Sequence, residues 1–398
     1  MAAPAKILVA NLGSTSFKFR LFDMADERQL ARGGVERIGA AASKWFVEIG
    51  GKKREGEMPV PDHAVAVRLC LDELTRSETG CLKDASEVSA IGFKAVHGGR
   101  YSGVQRVTPD VLAAMAEMNA IAPAHNPPYI AAMRLLAEKL PEMPLVAAFE
   151  TGFHQTMPDR NKYYAIDFDL ADKHYVRKWG FHGASHRFIA TRTAELLGRK
   201  DLRIISCHLG GSNSLCAIRE GKSVATTMGM SPQTGLPHNN RVGDFDPFAL
   251  PLVMKATGKS LEATLDHLAE KSGLLGLSGV SGDIRDLEEA AAKGNAKAQL
   301  ALDVFIGEIR RHLGGLLVEL GGVDVIVFTG GIGENGVGIR SGVCANLEDL
   351  GIKLDVTKNA SAKGETSLQA ADSKTQIWII PTNEELVIAR QSRELLAG

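Results

Sequence analysis

The sequence has 398 residues, of which 44% are hydrophobic and 23% are charged, and its formal net charge is −1. This composition predicts a globular protein of two or three domains and argues against a protein that binds nucleic acid or an anionic membrane. No apolar segment reaches membrane-spanning length, and the N-terminus lacks the apolar core of a signal peptide. The five scattered cysteines, odd in number and without a C-x-x-C pair, are typical of reduced thiols in a cytoplasmic protein.

The first predicted elements are two strands joined by a small polar turn. Residues 7–10 are apolar, and apolar and polar residues alternate over 17–21, which predicts a β-hairpin. Hydroxyls, backbone N–H groups and an ammonium group near this turn suit a phosphate, and an amide oxygen suits a metal or its water. These groups belong to Asn11, Ser14, Ser16 and Lys18. The alternative interpretation is an ordinary polar hairpin turn.

The rest of the first half alternates between strands and helices. Strands are predicted at 31–38, 45–49, 90–96 and 145–149, and helices at 64–74, after Thr108 and after His125. Strands first, then helix and strand in alternation, indicate a mixed sheet in an α/β domain.

The second half repeats the opening design. A strand at 202–209, a turn rich in Gly, Ser and Asn at 210–214 and strands at 215–218 and 222–227 resemble the first hairpin. This recurrence about half a chain later indicates a duplicated domain. Later elements are helices at 260–270, 287–293 and 295–320, strands at 323–328 and 376–380, a helix after the turn at 329–335, and a final helix capped by residues 382–385.

Small-residue turns follow three strands, near residues 13, 211 and 331. Two hairpin turns could hold a polyphosphate from opposite sides, and the third precedes a helix, whose first N–H groups attract anions. Together they predict a nucleotide-binding cleft between two related domains. Residues 331–336 also fit the dinucleotide fingerprint G-x-G-x-x-G. That motif belongs to a first βα unit with further parallel strands after it, so a hydride-transfer enzyme is the weaker interpretation.

Two other features carry possible chemistry. His182 and His186 stand four residues apart at a predicted helix start. This spacing can bind zinc, but no third ligand is evident, and the alternatives are one histidine that polarises a developing oxyanion or a pair with capping or core roles. Arg241 lies in a loop rich in Pro, Asn and Gly. Such arginines often bind phosphate or carboxylate, and the alternative is a plain surface residue.

Ordered motifs along nearly the whole chain resemble the acetate kinase family, within the superfamily of sugar kinases, actin and heat-shock chaperones. The matching strings are N-x-G-S-T-S-x-K at Asn11, V-H-G-G at Val96, H-N-P at His125, F-H-Q-T-M-P at Phe153, G-F-H-G-A-S-H at Gly180, C-H-L-G at Cys207, M-G-M-S-P at Met228, G-D-F-D-P at Gly243, S-G-L-L-G-L-S-G at Ser272, G-G-I-G-E-N at Gly330 and P-T-N-E-E-L at Pro381.

The resemblance implies an α/β fold of two duplicated ribonuclease-H-like (actin-like ATPase) domains with a nucleotide cleft between them. One domain would comprise residues 1–150 and 386–398, and the other residues 151–385. It further implies a homodimer that uses Mg²⁺, or Mn²⁺ in its place, and reversibly transfers a phosphoryl group from ATP to acetate, giving acetyl phosphate and ADP. Such a transfer needs positioning and charge neutralisation more than a base, because a carboxylate is already ionised at pH 7.

The resemblance also implies roles for individual residues. The metal would be held by Asn11 and Glu384, and the catalytic residues would be Glu150, His182 and Arg241. The carboxylic acid would contact Lys94, Val96, Ala124, His125, Phe181 and Pro232. The nucleotide and its phosphates would contact Ser14, Ser16, Lys18, His208, Gly210, Gly211, Ser212, Asn213, Asp283, Ile284, Arg285, Gly330, Gly331, Ile332, Gly333 and Asn335.

The chain departs from the family pattern at several of these positions. Lys94 replaces the usual Arg, Glu150 the usual Asp, Ala124 the usual Leu and Gly211 the usual Asn, while residues 239–241 read N-N-R in place of G-T-R. Either the changes at positions 94 and 150 compensate each other within a charge pair, or they are independent. The smaller side chain at position 124 predicts room for a longer acyl chain.

Three functional alternatives follow from these departures. The acid could be propionate or a larger short-chain acid, or the phosphoryl donor could be a molecule other than ATP. An alternative of another class is a catalytically weak protein that senses nucleotide or acyl phosphate. Retention of Lys18, Arg241, His182 and Glu384 argues against the last.

Overall fold

The predicted hairpin at the start of the chain is confirmed. Strands β1 (Lys6–Gly13) and β2 (Ser16–Asp23) pair antiparallel, with Gly13 opposite Ser16. The period-two pattern places Phe17, Phe19 and Leu21 in the core and leaves Lys18 exposed. The computed structural model describes residues 5–123 and 125–398, so the predicted substrate residue Ala124 lies outside the described residues.

The described chain divides into two units. The first comprises the residues up to Gly152 together with Asn383–Gly398, and the second comprises Phe153–Thr382. The sequence predicted the return to the first unit at residue 386, whereas the structure divides the chain before Asn383. Glu384 therefore belongs to the first unit.

The first unit is built on an eight-stranded sheet with the order β5-β4-β3-β2-β1-β6-β8-β7. Its remaining elements are β3 (Arg28–Glu36), β4 (Ser43–Ile49), β5 (Lys52–Met58), α1 (His63–Leu74), β6 (Val88–Ala95), β7 (Val104–Arg106), α2 (Pro109–Glu117), α3 (Asn126–Lys139) and β8 (Leu145–Phe149). Leu8 and Ala10 of β1 belong to one core with residues of these three helices, and Ile7 and Val9 belong to a core on the opposite face.

The second unit is built on a six-stranded sheet with the order β11-β10-β9-β12-β14-β13. Its elements are α4 (Asp159–Lys162), α5 (Phe168–Lys173), α6 (Gly183–Leu197), β9 (Arg203–Leu209), β10 (Asn213–Arg219), β11 (Lys222–Thr226), α7 (Leu250–Thr257), α8 (Leu261–Glu270), α9 (Gly273–Ser278), α10 (Ile284–Ala292), α11 (Ala296–Leu320), β12 (Val325–Thr329), α12 (Gly330–Asn335), α13 (Val337–Cys344), α14 (Val356–Ser361), β13 (Thr366–Ser367) and β14 (Gln376–Ile379). The last helix, α15 (Glu384–Ala397), packs in the first unit against β1 and β6.

The same arrangement of five strands occurs in both sheets. In the first, β2 and β3 extend antiparallel from β1, while β6 and β8 lie parallel on its other side. In the second, β10 and β11 extend antiparallel from β9, while β12 and β14 lie parallel on its other side. The recurrence predicted from the two hairpins is thus a recurrence of whole sheets.

Several elements were not predicted from the sequence, among them β7, α4, α5, α9, α14 and β13. Two other differences have a local explanation. Residues 52–58 were not predicted as a strand, because K-K-R-E-G-E-M has almost no apolar residues; they form β5 at the edge of the sheet, where most of its side chains remain in solvent. The turn predicted at 329–335 is mostly helical, because α12 begins at Gly330 directly after β12.

Two further observations concern the described chain. All five cysteines are free thiols, and four of them are buried. Among residues 5–123 and 125–398, no helix combines the length and apolar character that crossing a bilayer requires.

Candidate active site

A polar cluster in the first unit surrounds the hydroxyl of Tyr129, on α3. This hydroxyl donates to the Asn11 side-chain oxygen at 2.9 Å and accepts from the Leu12 backbone N–H at 3.2 Å. Burial raises the pKa of Tyr129 to about 12. The phenol therefore stays protonated and holds the Asn11 amide in place at the end of β1.

Lys94 and Glu384 form an ion pair in the same cluster. Their side chains are only 27% and 13% exposed. Burial by itself would lower the pKa of Lys94, but the carboxylates of Glu150 and Glu384 raise it above its usual value. Glu384 is the first residue of α15, whose start is fixed by the Asn383 side chain accepting from the Leu386 N–H at 3.1 Å.

The predicted phosphate residues lie at one end of the first hairpin. Lys18 is directly opposite Asn11 in the strand register, and both line a cavity of about 160 Å³. Ser14 is exposed in the turn, and Ser16 begins β2. The structure therefore brings Asn11, Ser14, Ser16 and Lys18 together.

Two predicted substrate residues of the first unit lie on connected segments. Val96 follows β6, and His125 precedes the first turn of α3. The buried Asn126 side chain joins these segments, because its amide donates to the His97 carbonyl at 2.8 Å and its oxygen accepts from the His97 N–H at 3.3 Å.

The oxygen donors of this cluster fit a hard divalent cation. Asn11 offers an amide oxygen, and Glu150 and Glu384 offer carboxylates that both act on Lys94. Mg²⁺ is usually held by one or two carboxylates together with substrate phosphates, so it needs no dedicated protein cage. Accordingly, the part of the chain that the structure describes contains no group of three or more Asp, Glu, His or Cys side chains arranged for a metal.

The β9–β10 hairpin organises the second unit. Its turn is closed by Asn213, whose side-chain oxygen accepts from the Gly210 N–H at 2.8 Å and whose amide donates to the Pro237 carbonyl at 2.8 Å. The contact of Asn213 with nucleotide stays a prediction. Its side chain is completely buried, and these two hydrogen bonds shape the turn from inside.

Arg241 is held against this hairpin. Its Nη1 donates to the Ser212 hydroxyl at 3.2 Å and to the Pro232 carbonyl at 2.8 Å. Burial lowers the pKa of Arg241, yet a guanidinium remains charged in proteins. The structure thus brings two predicted residues, Pro232 and Arg241, into contact and places a half-buried cation beside the turn.

His182 lies next to the same hairpin, at the start of α6. Its Nδ1 is 2.8 Å from the Ser214 hydroxyl, and its ring stacks on that of His208 with centroids 4.2 Å apart. His182 has a positive φ of 55°. Gly180, two residues earlier, has a φ of 70°, and a Cβ there would lie 2.6 Å from the His154 ring. A larger residue at 180 would therefore displace the segment that carries Phe181 and His182.

The zinc interpretation of His182 and His186 finds no support in their surroundings. Both ring nitrogens of His186 lie within 2.9 Å of serine hydroxyls, of Ser206 and Ser214. His186 is completely buried, and burial, followed by the neighbouring His154 and His208, lowers its pKa well below the usual value. The pair is part of a hydrogen-bonded chain of histidines and serines.

A cavity of about 670 Å³ opens beside the hairpin turn in the second unit. It is lined by Gly210, Gly211, Asn239, Asp283, Ile284, Arg285, Glu288, Gly331, Ile332, Asn335 and Gly336. Asp283 caps α10 and binds the Arg285 guanidinium at 2.6 and 3.0 Å, which lowers the pKa of Asp283 to about 2. This volume is within the usual range for small-molecule sites.

The thirteen predicted nucleotide residues of the second unit divide into two groups. Eight line this cavity: Gly210, Gly211, Asp283, Ile284, Arg285, Gly331, Ile332 and Asn335. The lining does not include His208, Ser212, Asn213, Gly330 or Gly333. Their contact with nucleotide stays a prediction. Gly330 has a φ of 78°, and a Cβ there would lie 2.6 Å from the Leu209 carbonyl oxygen, so glycine lets the end of β12 approach that of β9.

Sequence reasoning missed several residues of these clusters. Tyr129 and Ser214 each hold a predicted site residue, and Asn239, Glu288 and Gly336 line the cavity. Glu288 carried a usable signal, since it lies one helical turn after Ile284 and Arg285 on the cavity face of α10. Asn239 and Gly336 belong to the segments 239–241 and 331–336 that the sequence analysis singled out. The others are ordinary residues whose partners are distant in sequence.

The duplicated sheet, the cavity at the end of β9 and β12, and the half-buried cation beside the β9–β10 turn define a nucleotide-using phosphotransferase with an actin-like ATPase fold. The comparison with known families is in agreement: the model of the Acetokinase family matches residues 6–390, and the chain belongs to this family.

Individual relatives match over almost the full length. The acetate kinase of Clostridium botulinum (strain Kyoto / Type A2) is 43% identical over 395 residues, which cover 98% of this chain and 100% of the relative. The crystal structure of Porphyromonas gingivalis acetate kinase matches with a TM-score of 0.89 and 38% identity, covering 98% of this chain and 100% of that one. A propionate kinase from Francisella tularensis matches with a TM-score of 0.88 and 34% identity, covering 97% and 98%. The predicted resemblance, α/β fold and kinase class are thereby confirmed.

Proposed function

We propose that the protein catalyses the reversible, Mg²⁺-dependent transfer of the terminal phosphoryl group of ATP to acetate, giving acetyl phosphate and ADP. One observation carries this proposal: residues 210–212 and 214 of the β9–β10 hairpin either line the cavity or bind Arg241 and His182. Gly210 and Gly211 line the cavity, Ser212 binds Arg241 and Ser214 binds His182. A nucleotide whose phosphates reach this turn would present its terminal phosphate to a cation and an imidazole.

The cavity suits a nucleoside. The planar Arg285 guanidinium, fixed by Asp283, could stack on a base, and Glu288 and Asn335 could bind base or ribose hydrogen-bonding groups. Burial raises the pKa of Glu288, so near neutral pH its carboxyl group is more readily protonated than an exposed one. These features favour ATP over a small donor such as pyrophosphate, which would leave the lining unused.

The chemical step requires charge neutralisation. An ionised carboxylate attacks the terminal phosphorus directly, and no group has to remove a proton from it. Arg241 would bind the carboxylate and the transferring phosphoryl group, and His182 would donate a hydrogen bond to an equatorial phosphoryl oxygen as charge develops. Lys94 would bind the carboxylate as a single point charge.

The first-unit cluster supports the metal. Asn11 and Glu384 would hold Mg²⁺ together with phosphate oxygens, and the bound ion would neutralise charge on the phosphates. Glu150 and Lys94 would keep Glu384 in position, since all three side chains interact electrostatically. Lys18 and the serines of the first hairpin would bind the phosphates from their own unit.

We further propose a homodimer in the cytoplasm. Phe248 is 89% exposed and Leu252, one helical turn later, is 70% exposed, and Leu261 and Leu265 on the neighbouring helix α8 are also exposed. Contiguous exposed apolar side chains mark contact surfaces. Leu252→Glu should yield a monomer in sedimentation analysis, whereas Val318→Glu, which changes a single exposed residue on α11, should not.

The proposed reaction is tested by trapping acyl phosphate as hydroxamate. The purified protein is incubated with Mg²⁺, a panel of short-chain acids and either ATP or pyrophosphate. Acyl hydroxamate formed with ATP and acetate or propionate is the expected result. Product with pyrophosphate alone would indicate another donor, and product with larger acids alone another acid. No product with any combination, together with nucleotide binding, would indicate a sensor.

A further inference from the structure

A continuous chain of hydrogen bonds runs from a buried serine to His182. Ser206 Oγ is 2.9 Å from His186 Nδ1, His186 Nε2 is 2.8 Å from Ser214 Oγ, and Ser214 Oγ is 2.8 Å from His182 Nδ1. Ser206, His186 and Ser214 are all completely buried. These three buried groups therefore determine whether His182 Nδ1 faces a hydrogen-bond donor or an acceptor.

The first constraint is the number of protons on each group. A serine hydroxyl donates one hydrogen bond, and a neutral imidazole has one N–H and one acceptor nitrogen. Burial keeps His186 neutral. Ser214 faces a ring nitrogen on each side. If both histidines donated to it, its own buried hydroxyl proton would lack an acceptor among these contacts, which is costly. Ser214 therefore accepts from one histidine and donates to the other, which links the protonation sites of the two rings and leaves two arrangements.

In the first arrangement, every hydroxyl and N–H of the buried chain has an acceptor. Ser206 donates to His186 Nδ1, His186 Nε2–H donates to Ser214, and Ser214 donates to His182 Nδ1. His182 then carries its proton on Nε2.

In the second arrangement the direction is reversed. His182 Nδ1–H donates to Ser214, Ser214 donates to His186 Nε2, and His186 Nδ1–H donates to Ser206. The Ser206 proton then needs another acceptor, but within the described residues this hydroxyl makes its one hydrogen bond to His186. A buried donor without an acceptor is costly, so the first arrangement is preferred.

We infer that Ser206, His186 and Ser214 are positioning residues that set the tautomer of His182 when its imidazole is neutral, with the proton on Nε2, ready to donate a hydrogen bond to the transferring phosphoryl group. The inference rests on the proposed function for the role of that proton. The wrong tautomer would present a lone pair to an anion and would oppose the reaction. The stack on His208 fixes the ring plane of His182, and the buried chain fixes the proton.

The tautomer is measured directly by long-range ¹H–¹⁵N NMR of the histidine side chains, with the His182 signals assigned from their loss in His182→Asn. The wild-type protein should show His182 protonated on Nε2 by at least about 10:1, the ratio that 1.4 kcal/mol provides. An Nδ1–H tautomer, or an equal mixture, in the folded wild-type protein would overturn the inference. The tautomer is read in the wild-type chain, with His182→Asn used only for assignment, and the measurement requires no kinase activity.

Variants then test the effect on catalysis. Ser214→Ala should move the His182 Nδ1 shift towards that of a mixed tautomer and lower kcat about 10- to 100-fold with little change in KM, a loss smaller than that of a whole oxyanion donor. Ser214→Thr retains the hydroxyl and should restore both. An unchanged His182 spectrum in folded Ser214→Ala would contradict the inference.

Ser43→Ala is the matched control. Ser43 is also completely buried, and its hydroxyl donates to the Arg37 carbonyl at 2.9 Å in the first unit, so the change removes a buried serine hydrogen bond outside the chain that reaches His182. It should leave the His182 signals and kcat unchanged; equal losses from Ser43→Ala would assign a structural role to both serines. A protein without kinase activity but with the expected tautomer would refute the proposed function and leave the tautomer assignment intact.

Discussion

Removal of the Arg241 guanidinium should separate its catalytic role from its structural one. Nη1 binds Ser212 and Pro232, so the rest of the guanidinium group can present donors to an anion. Loss of one donor to a developing phosphoryl or carboxylate charge typically costs about 2.7–4 kcal/mol in the transition state. Arg241→Ala should therefore lower kcat about 10²–10³-fold.

Arg241→Ala should also lower the free energy of unfolding, and this loss of stability can be measured separately from the loss of activity. The two hydrogen bonds contribute about 1 kcal/mol each, so the free energy of unfolding should fall by about 2 kcal/mol and Tm by about 4–8 °C. Activity is therefore measured well below Tm, with acyl hydroxamate as the readout and acetate and ATP varied in turn. Arg241→Lys retains the charge without the planar fork and should recover only part of kcat.

Arg219→Ala serves as the matched control. Arg219 lies at the far end of β10 and donates from Nη2 to the Leu320 carbonyl at 2.9 Å, so its removal also costs a hydrogen bond to the backbone. Its kcat should stay near that of the wild type. If Arg241→Ala keeps kcat within about threefold of the wild type, or loses no more than Arg219→Ala, the assignment of Arg241 to the reaction is refuted.

Four further predictions concern the remaining site residues. Lys18→Ala should lower kcat by about 10²-fold without loss of the fold, because Lys18 is exposed and its charge is expected to meet phosphate; kcat near the wild-type value would remove Lys18 from the site. Lys94→Arg and Glu150→Asp should each be harmful alone and less harmful together, because both groups share one buried cluster; additive losses in a double-mutant cycle would show independence. Arg285→Ala should raise KM for ATP about tenfold, the effect of ~1.4 kcal/mol of stacking, and calorimetry should show weaker ADP binding; unchanged binding would place the base elsewhere. Propionate should be used about as well as acetate, since Ala124 replaces a larger side chain and each buried methylene contributes about 0.8 kcal/mol; a strong preference for acetate would mean that another side chain fills that space.

Much of the fold follows from local sequence patterns. The hairpin turn at Ser14, the period-two alternation of β2 and the cap of α15 at Asn383 involve residues within a few positions of one another. Their physics is local, so the sequence alone predicts them. Strand β5 was missed because an edge strand exposed on both faces lacks the apolar signal on which such predictions depend.

The site was less accessible to the same reasoning. Lys94 and Glu384 are 290 residues apart in sequence, and residue spacing carries no information about such a pair. Tyr129 and Ser214 act through one hydroxyl each, and nothing distinguishes these from other buried hydroxyls until their partners are placed. Asn213 has a role that its place in a glycine-rich turn did not indicate, because its side chain closes the turn from inside. The sequence motifs predict which segments form the site. Which side-chain atoms face it depends on tertiary contacts, which the sequence does not show.

The most direct test of the account follows the phosphoryl group itself by ³¹P NMR. The purified protein, Mg²⁺, ATP and acetate are combined, and the γ-phosphate resonance of ATP is followed with time. The account predicts that this resonance is replaced by those of acetyl phosphate and ADP in equal amounts, and that adding ADP to acetyl phosphate reverses the change. Release of inorganic phosphate alone, or no change in the ATP spectrum with acetate or propionate, would contradict the assignment of Arg241 and His182 to phosphoryl transfer between a nucleotide and a carboxylate.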